Sequence, residues 1–261
     1  MIEVMVNGCN GKMGQIVCEL LDKNENMLLK YGTDRIDTGY CTFPVYTNLK
    51  LIPDKPNVII DFSIPAATFN ILEYAKENFI PVVIATTGFT VEQEDKIVKY
   101  ANHIPIFKSA NMSFNINMFQ HLLREITPKL KDTDIEIIET HHNRKIDSPS
   151  GTAQMLANTI NETLNGDYHF EYDRHSKHKK RDKKEIGITS IRGGNIVGEH
   201  TVKFFGEFET FEITHISYSR NVFAQGAIKA AEFIVNQKAG LYNMDNLIKV
   251  NLYWQKYNKL I

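Results

Sequence analysis

Residues 2 to 14 read Ile2-Glu3-Val4-Met5-Val6-Asn7-Gly8-Cys9-Asn10-Gly11-Lys12-Met13-Gly14. An apolar run enters a glycine-rich turn, and a helix starts on its far side. Met13, Ile16, Val17, Leu20 and Leu21 recur at helical spacing, so the segment predicts strand, tight turn and amphipathic helix. The pattern then repeats. Met27–Tyr31, Val58–Asp61, Pro81–Ala85 and Ile104–Lys108 are short apolar runs, with helical segments at Ala66–Asn78 and Val91–Ala101. Short strands alternating with helices predict a parallel sheet with right-handed crossovers. The expected class is α/β, a Rossmann-type parallel sheet.

The glycine loop suggests a ligand. Glycines let the backbone approach a pyrophosphate, and the helix N-terminus adds free N–H groups and a partial positive charge. Asp34 lies 20 residues beyond Gly14, where a carboxylate can accept ribose hydroxyls. The spacing is G-x-x-G-x-x-G rather than G-x-G-x-x-G, so the motif needs the βα units around it to carry weight. Arg35 follows Asp34 and can pair with a 2′-phosphate, so NADH and NADPH are both expected. Ala85-Thr86-Thr87-Gly88 and Ser109-Ala110-Asn111-Met112-Ser113 each follow a predicted strand, where ligands of open α/β sheets bind.

The texture changes after about residue 112. A strand is expected at Asp134–Ile138 and a helix at Ala153–Leu164. Glu185–Tyr218 alternates as an antiparallel sheet should, with Gly193-Gly194 as its hairpin turn, and Ala224–Val235 is again helical. The densest polar run is Glu139-Thr140-His141-His142-Asn143-Arg144-Lys145-Ile146-Asp147-Ser148-Pro149-Ser150-Gly151-Thr152. Two histidines and a lysine offer proton transfer near neutral pH and a cation for an anionic ligand. Ser150-Gly151-Thr152, at a predicted helix start, suggests a carboxylate nest. No metal site is expected, since adjacent histidines point apart and H-E-x-x-H is absent. The residues thus point to a nicotinamide-dependent reductase of a small anionic substrate.

Composition narrows the setting. The net charge is −1, so the chain as a whole is no electrostatic nucleic-acid binder. One stretch, 174–184, carries a net +6 and reads as a solvated loop or an anion-binding one. Three cysteines and no C-x-x-C fit a reduced compartment. No run approaches the ~18 apolar residues of a membrane span. The expectation is a soluble, cytoplasmic protein with no membrane and no nucleic-acid partner.

The polar run meets the signature E-x-H-H-x-x-K-x-D-x-P-S-G-T at Glu139, His141, His142, Lys145, Asp147, Pro149, Ser150, Gly151 and Thr152. On those residues the chain resembles the 4-hydroxy-tetrahydrodipicolinate reductase (dihydrodipicolinate reductase) family of lysine and diaminopimelate synthesis. The likeness extends to Gly8–Gly14, Asp61-Phe62-Ser63, Asn111-Met112-Ser113, Arg192-Gly193-Gly194 and Arg220 with Phe223, Ala224 and Gly226. It implies a dinucleotide-binding domain over 1–112 completed by 221–261. An inserted mixed-sheet α+β domain over 113–220 would bind substrate and build a homotetramer through its sheet. It implies NADH or NADPH held by Gly8, Cys9, Asn10, Gly11, Lys12, Met13, Asp34, Arg35, Ala85, Thr86, Thr87, Ser109, Ala110, Asn111 and Met112. A small dicarboxylate would meet His142, Lys145, Gly151 and Thr152, with Ser150 assisting. His141 would be proton donor or acceptor and Lys145 a proton donor. The chain departs from the family pattern at Ala85 and Asn115, where the family has glycine, and at Ser148, where it has alanine.

Two other readings stand beside this one. Another Rossmann reductase of amino-acid metabolism is one; an aspartate-semialdehyde dehydrogenase would need a cysteine in its second domain, and all three cysteines precede residue 42. A non-catalytic NAD-sensing or nucleic-acid-binding protein using the basic loop is the other.

Overall fold

The structure is a computed structural model and describes residues 1–39 and 41–257. The first elements are β1 (Ile2–Asn7), α1 (Lys12–Leu21), β2 (Met27–Thr33), β3 (Val45–Tyr46), β4 (Val58–Asp61), α2 (Pro65–Asn78), β5 (Val82–Ile84), α3 (Val91–Ala101) and β6 (Pro105–Lys108). There follow α4 (Phe114–Ile126), β7 (Asp134–His141), α5 (Gly151–Thr163), β8 (His169–Glu171), β9 (Glu185–Arg192), β10 (Gly198–Phe205) and β11 (Thr210–Ser217). The chain closes with α6 (Asn221–Ile234), β12 (Gly240–Tyr242) and α7 (Met244–Tyr257). It divides into two compact units, one of Met1–Phe114 with Asn221–Ile261, the other of Asn115–Arg220.

The first unit holds a parallel sheet in the order β12-β6-β5-β4-β1-β2-β3. Its strands read as continuous apolar runs because both faces are covered. Val4, Val6, Val58, Ile60, Val83 and Phe107 point to one face and pack with Val17 and Leu21 of α1 and Ala227, Ala231 and Ile234 of α6. Met5, Ile59, Val82, Ile84 and Ile106 point to the other and meet Ile71 and Leu72 of α2 and Ile97 of α3. The alternation follows from successive side chains on a strand facing opposite ways. Gly226 lets α6 approach closely, since a Cβ there would lie 1.6 Å from the Met112 carbonyl oxygen.

The second unit is a mixed sheet in the order β11-β10-β7-β9-β8. Ile135, Ile137, Ile186, Ile188, Val202 and Phe204 form its core with Leu156, Ala157 and Ile160 of α5. One expectation is corrected here. Gly193-Gly194 is not the turn of a β-hairpin, because β9 and β10 are not neighbours; β7 lies between them. β9 runs parallel to β7 and β8, while β10 is antiparallel to β7 and β11. Period-two alternation reports which face a residue takes, not which strand it pairs with. The backbone after β9 bonds to the end of β7 instead: Gly193 N–H donates to the His141 carbonyl (2.9 Å), His142 N–H to Ile196 (2.8 Å) and Asn143 N–H to Gly194 (3.3 Å). Those bonds seat the His-His-Lys segment.

The basic stretch is tied down. Arg174 and Arg181 both pair with Glu136 and Glu185, Lys177 pairs with Glu171, and Lys184 pairs with Asp167. Arg181 also donates to the Ile135 carbonyl (2.8 Å) and the Glu185 carbonyl (2.6 Å), so it staples β7 to β9. A run of like charge in the sequence is here largely answered by carboxylates of its own unit.

Candidate active site

The glycine loop leaves β1 with Gly8 at φ +77°, a left-handed conformation that glycine adopts without strain. A Cβ at Gly8 would lie 2.7 Å from the Phe62 carbonyl oxygen, and one at Gly14 would lie 2.0 Å from the Gly8 carbonyl oxygen. The loop, the end of β4 and the first turn of α1 are therefore packed backbone to backbone. Asn10 N–H donates to Asp34 Oδ2 (2.9 Å), and Arg35 N–H donates to Asp34 Oδ1 (2.7 Å). The Asp34 carboxylate is thus held at the end of β2 with acceptor capacity left for hydroxyl donors.

Two cavities adjoin along this sheet edge within the first unit, sharing Phe62 and Ser63. One, of about 470 Å³, is lined by Gly8, Asn10, Gly11, Asp34 and Arg35. The other, of about 500 Å³, is lined by Met13, Ala85, Thr86, Thr87, Ser109, Ala110, Asn111 and Met112. Their sizes fall in the range of ligand sites. A bipartite cleft with a glycine turn and an acidic strand end at one side, and small and hydroxyl side chains at the other, fits a dinucleotide. Two of the expected residues stand apart. The Cys9 side chain is buried in the core, where a Cβ at Gly32 would lie 2.7 Å from its Sγ, and Lys12 is exposed and lines neither cavity.

Beneath both cavities lies a network that the strand pattern alone does not reveal. Asp61 is fully buried. Its Oδ1 accepts from Asn7 Nδ2 (2.7 Å), Ser63 Oγ (2.5 Å) and Ser63 N–H (3.2 Å). Its Oδ2 accepts from Thr68 Oγ1 (2.6 Å) and Thr86 Oγ1 (2.9 Å). Thr33 Oγ1 in turn donates to Asn7 Oδ1 (2.8 Å). One carboxylate therefore joins the ends of β1, β4 and β5 to the first turn of α2.

In the second unit the register builds a row across the sheet. Glu139 on β7 lies opposite Ser190 on β9 and His200 on β10, and His200 lies opposite His215 on β11. Two residues along, His141 lies opposite Arg192. Glu139 and His141 share a face because they are two apart on a strand. Glu139 is fully buried. It accepts from Arg192 twice, NH1 to Oε2 (2.9 Å) and NH2 to Oε1 (2.7 Å), and from Ser150 N–H (3.1 Å). His141 Nδ1 lies 2.5 Å from its Oε2. Burial pushes the Glu139 carboxyl up, but Arg192, Ser190, His141 and the Ser150 N–H outweigh it and hold it down at about 2. Burial lowers the His141 imidazole below its ordinary range against the pull of Glu139, with Lys145 and Arg192 adding to the lowering.

Ser150 caps α5: its hydroxyl accepts from Ala153 N–H (3.1 Å) and lies 3.1 Å from His200 Nε2. Burial, helped by His141, brings His200 down to about 4, so it is neutral near pH 7 and shares one hydrogen bond with the Ser150 hydroxyl. The Ser150 side chain is thereby engaged within the protein, and Gly151 and Thr152 follow it in the first turn of α5. Lys145 Nζ pairs with Asp147 (2.7 Å) and holds its carboxyl below the usual range. His142 Nδ1 is buried without a protein partner. His141, His142, Lys145, Ser150, Gly151 and Thr152 all lie in this unit. Asp61, Glu139, Arg192 and His200 carried no assigned role in the sequence; the spacing of Glu139 and His141 on a strand was the available signal for the first of these interactions.

Known proteins resemble this chain over nearly its whole length. The family model described as dihydrodipicolinate reductase, N-terminus, matches residues 2–112, and that for the C-terminus matches residues 115–248. A 4-hydroxy-tetrahydrodipicolinate reductase from Clostridium novyi is 44% identical over 95% of this chain and 99% of its own. One from Caldanaerobacter subterraneus subsp. tengcongensis is 45% identical over the same shares. Among solved structures, a dipicolinate-bound dihydrodipicolinate reductase from Paenisporosarcina sp. TG-14 superposes with a TM-score of 0.77 at 28% identity, covering 94% of this chain and 99% of that one. A scyllo-inositol dehydrogenase from Lactobacillus casei, at 12% identity and a TM-score of 0.56 over 95% and 93%, shares the fold alone.

Proposed function

The chain belongs to the dihydrodipicolinate reductase family and, as a member, reduces 4-hydroxy-tetrahydrodipicolinate to tetrahydrodipicolinate with NADH or NADPH and loss of water, and we propose that its two units divide the task. The first unit holds the dinucleotide. Gly8–Met13 and the α1 N-terminus take the pyrophosphate, mainly through the backbone. Asp34 and Arg35 take the adenosine ribose, and Ala85–Thr87 with Ser109–Met112 take the nicotinamide end. The second unit holds the dicarboxylate, with Gly151 and Thr152 at the α5 start receiving one carboxylate, His142 and Lys145 adding contacts, and Ser150 acting through its cap.

When bound, the reduced nicotinamide supplies a hydride. The chain's own residues manage charge and protons. The Lys145 cation stabilises electron density that builds on the substrate ring and delivers a proton. His141 exchanges a proton at Nε2, because Nδ1 is taken by Glu139. That buried Glu139–His141 pair beside the start of α5 is the observation that carries the reading. Assembly is proposed as a homotetramer through the sheet face opposite α5, where Ile191 and Ile216 are 48% and 43% exposed. Among the described residues no helix is long and apolar enough to cross a membrane, and a cytoplasmic location suits the proposed pathway.

The test is turnover of freshly made 4-hydroxy-tetrahydrodipicolinate followed at the nicotinamide absorbance band. Both NADH and NADPH should support it. Arg35→Ala should raise the KM for NADPH more than that for NADH, because only NADPH presents a 2′-phosphate. Equal losses would leave Arg35 as an adenine neighbour, and no turnover with either cofactor would sink the reading.

The nest gives a second check. Pyridine-2,6-dicarboxylate should compete with substrate, and Thr152→Val should weaken its inhibition by roughly tenfold, the worth of one hydrogen bond to a charged group. NADH binding, measured by fluorescence titration, should stay as in wild type. Unaltered inhibition of the variant would remove the Thr152 hydroxyl from the nest.

A further inference from the structure

We propose that Glu139 is a positioning residue for the reaction: its one buried carboxylate fixes which nitrogen of His141 carries the proton and, through Ser150, where α5 begins, with Arg192 locking the carboxylate in place. The inference rests on the assignment of proton exchange to His141 made above, and adds the group that sets it.

The geometry leaves Glu139 little freedom. It sits mid-sheet with no exposure, and both oxygens are engaged. Oε2 faces His141 Nδ1 and Arg192 NH1, while Oε1 faces Ser150 N–H and Arg192 NH2. A carboxylate flanked by an arginine fork accepts only, so His141 must offer it N–H at Nδ1. The ring then presents Nε2 as its working atom. Gly198 on β10 borders that atom, and a Cβ there would lie 3.1 Å from it. The same carboxylate holds Ser150 N–H, so the imidazole and the α5 start are referenced to a single group. Arg192 NH2 also donates to the Asp147 carbonyl (2.7 Å), which extends the lock to the loop carrying Lys145.

The charged and titratable groups facing His141 are Glu139 on its own strand, Arg192 from β9, His200 from β10 with ring centroids 5.1 Å apart, and Lys145 paired with Asp147 from the loop. His215 of β11 lies beyond His200. Glu139 favours the protonated imidazole, and Arg192 and Lys145 oppose it. Removing Glu139 and removing Arg192 should therefore move His141 in opposite directions, a result that loss of packing alone does not produce.

The experiment is ¹⁵N-histidine NMR titration of the substrate-free protein, with His141 assigned by comparison with His141→Ala, alongside the pH profile of kcat/KM. In wild type the neutral ring should carry its proton on Nδ1. Glu139→Gln should shift the His141 titration, and the corresponding limb of the kcat/KM profile, to lower pH by about one to three units, the usual effect of losing an adjacent opposite charge. Its neutral form should become a mixture of tautomers. Arg192→Gln should shift the titration to higher pH, and it carries the test alone if Glu139→Gln does not fold. Shifts in one common direction, or an Nε2–H tautomer in wild type, would overturn the proposal. Normal kcat in His141→Ala would instead sink the catalytic reading, whatever the NMR shows, so the two failures are distinct.

Discussion

Lys145→Ala should lower kcat by about 10²–10⁴-fold, the range for losing a positioned acid or a preorganised charge. The substrate ring carries two carboxylates, and hydride addition puts further electron density on it, so a cation acts in binding and in chemistry alike. KM for the dicarboxylate should rise as well. His141→Ala should lose kcat over a comparable range with a smaller rise in KM, because burial lowers its imidazole below the ordinary range and disfavours the charged form. NADH affinity should hold in both variants, since both residues lie in the second unit and the glycine loop lies in the first. Steady-state kinetics with fluorescence titration of NADH reads all three quantities. Near-normal kcat in Lys145→Ala would remove that residue from the chemistry, and lost NADH binding would place it with the cofactor.

Asp61→Ala should be the most damaging substitution outside the second unit. The carboxylate accepts from Asn7, Ser63, Thr68 and Thr86, and alanine leaves these donors facing a buried gap. Each buried donor left unpaired costs about 1–3 kcal/mol. The Ser63 and Thr68 hydroxyls can still donate to the Ile64 carbonyl; the two remaining donors, on Asn7 and Thr86, give a loss of roughly 3 kcal/mol or more, which corresponds to a fall in Tm of about 6–12 °C for a unit of this size. Asp61→Asn keeps the shape and one acceptor, so it should lose less. Thermal melts of the three proteins decide the matter, and a Tm for Asp61→Ala within about two degrees of wild type would show that the network is dispensable. Ser63 and Thr86 line the cleft proposed for the cofactor, so NADH affinity should fall with stability.

What the sequence reached and what it missed differ in physical kind. Strand and helix placement in the first unit was legible because a sheet covered on both faces needs unbroken apolar runs, as in Val58–Asp61, and a helix on it needs one apolar stripe, as in α1. The short strands β3, β8 and β12 span two or three residues, too few to show a period. The helix α4 was not anticipated either, although its buried Ile116, Phe119 and Leu123 lie three and four residues apart.

The candidate site divides the same way. The glycine turn, Asp34 and the His-His-Lys run were legible because each is a local pattern, whose chemistry depends on neighbours along the chain. The partners of Glu139 and Asp61 were not. Arg192 reaches Glu139 across 53 residues of sequence and Thr86 reaches Asp61 across 25, and only strand register brings them together. The hairpin expected at Gly193-Gly194 failed for that reason: alternation sets the face of each residue on β9 and β10, while the choice of neighbour was settled by β7 entering between them. The sequence by itself determined the layered α/β frame and the family, and pointed to the side chains proposed to react. The tertiary structure decided which nitrogen of His141 is free and what holds it, because a buried carboxylate is satisfied only by donors that the fold collects from distant strands.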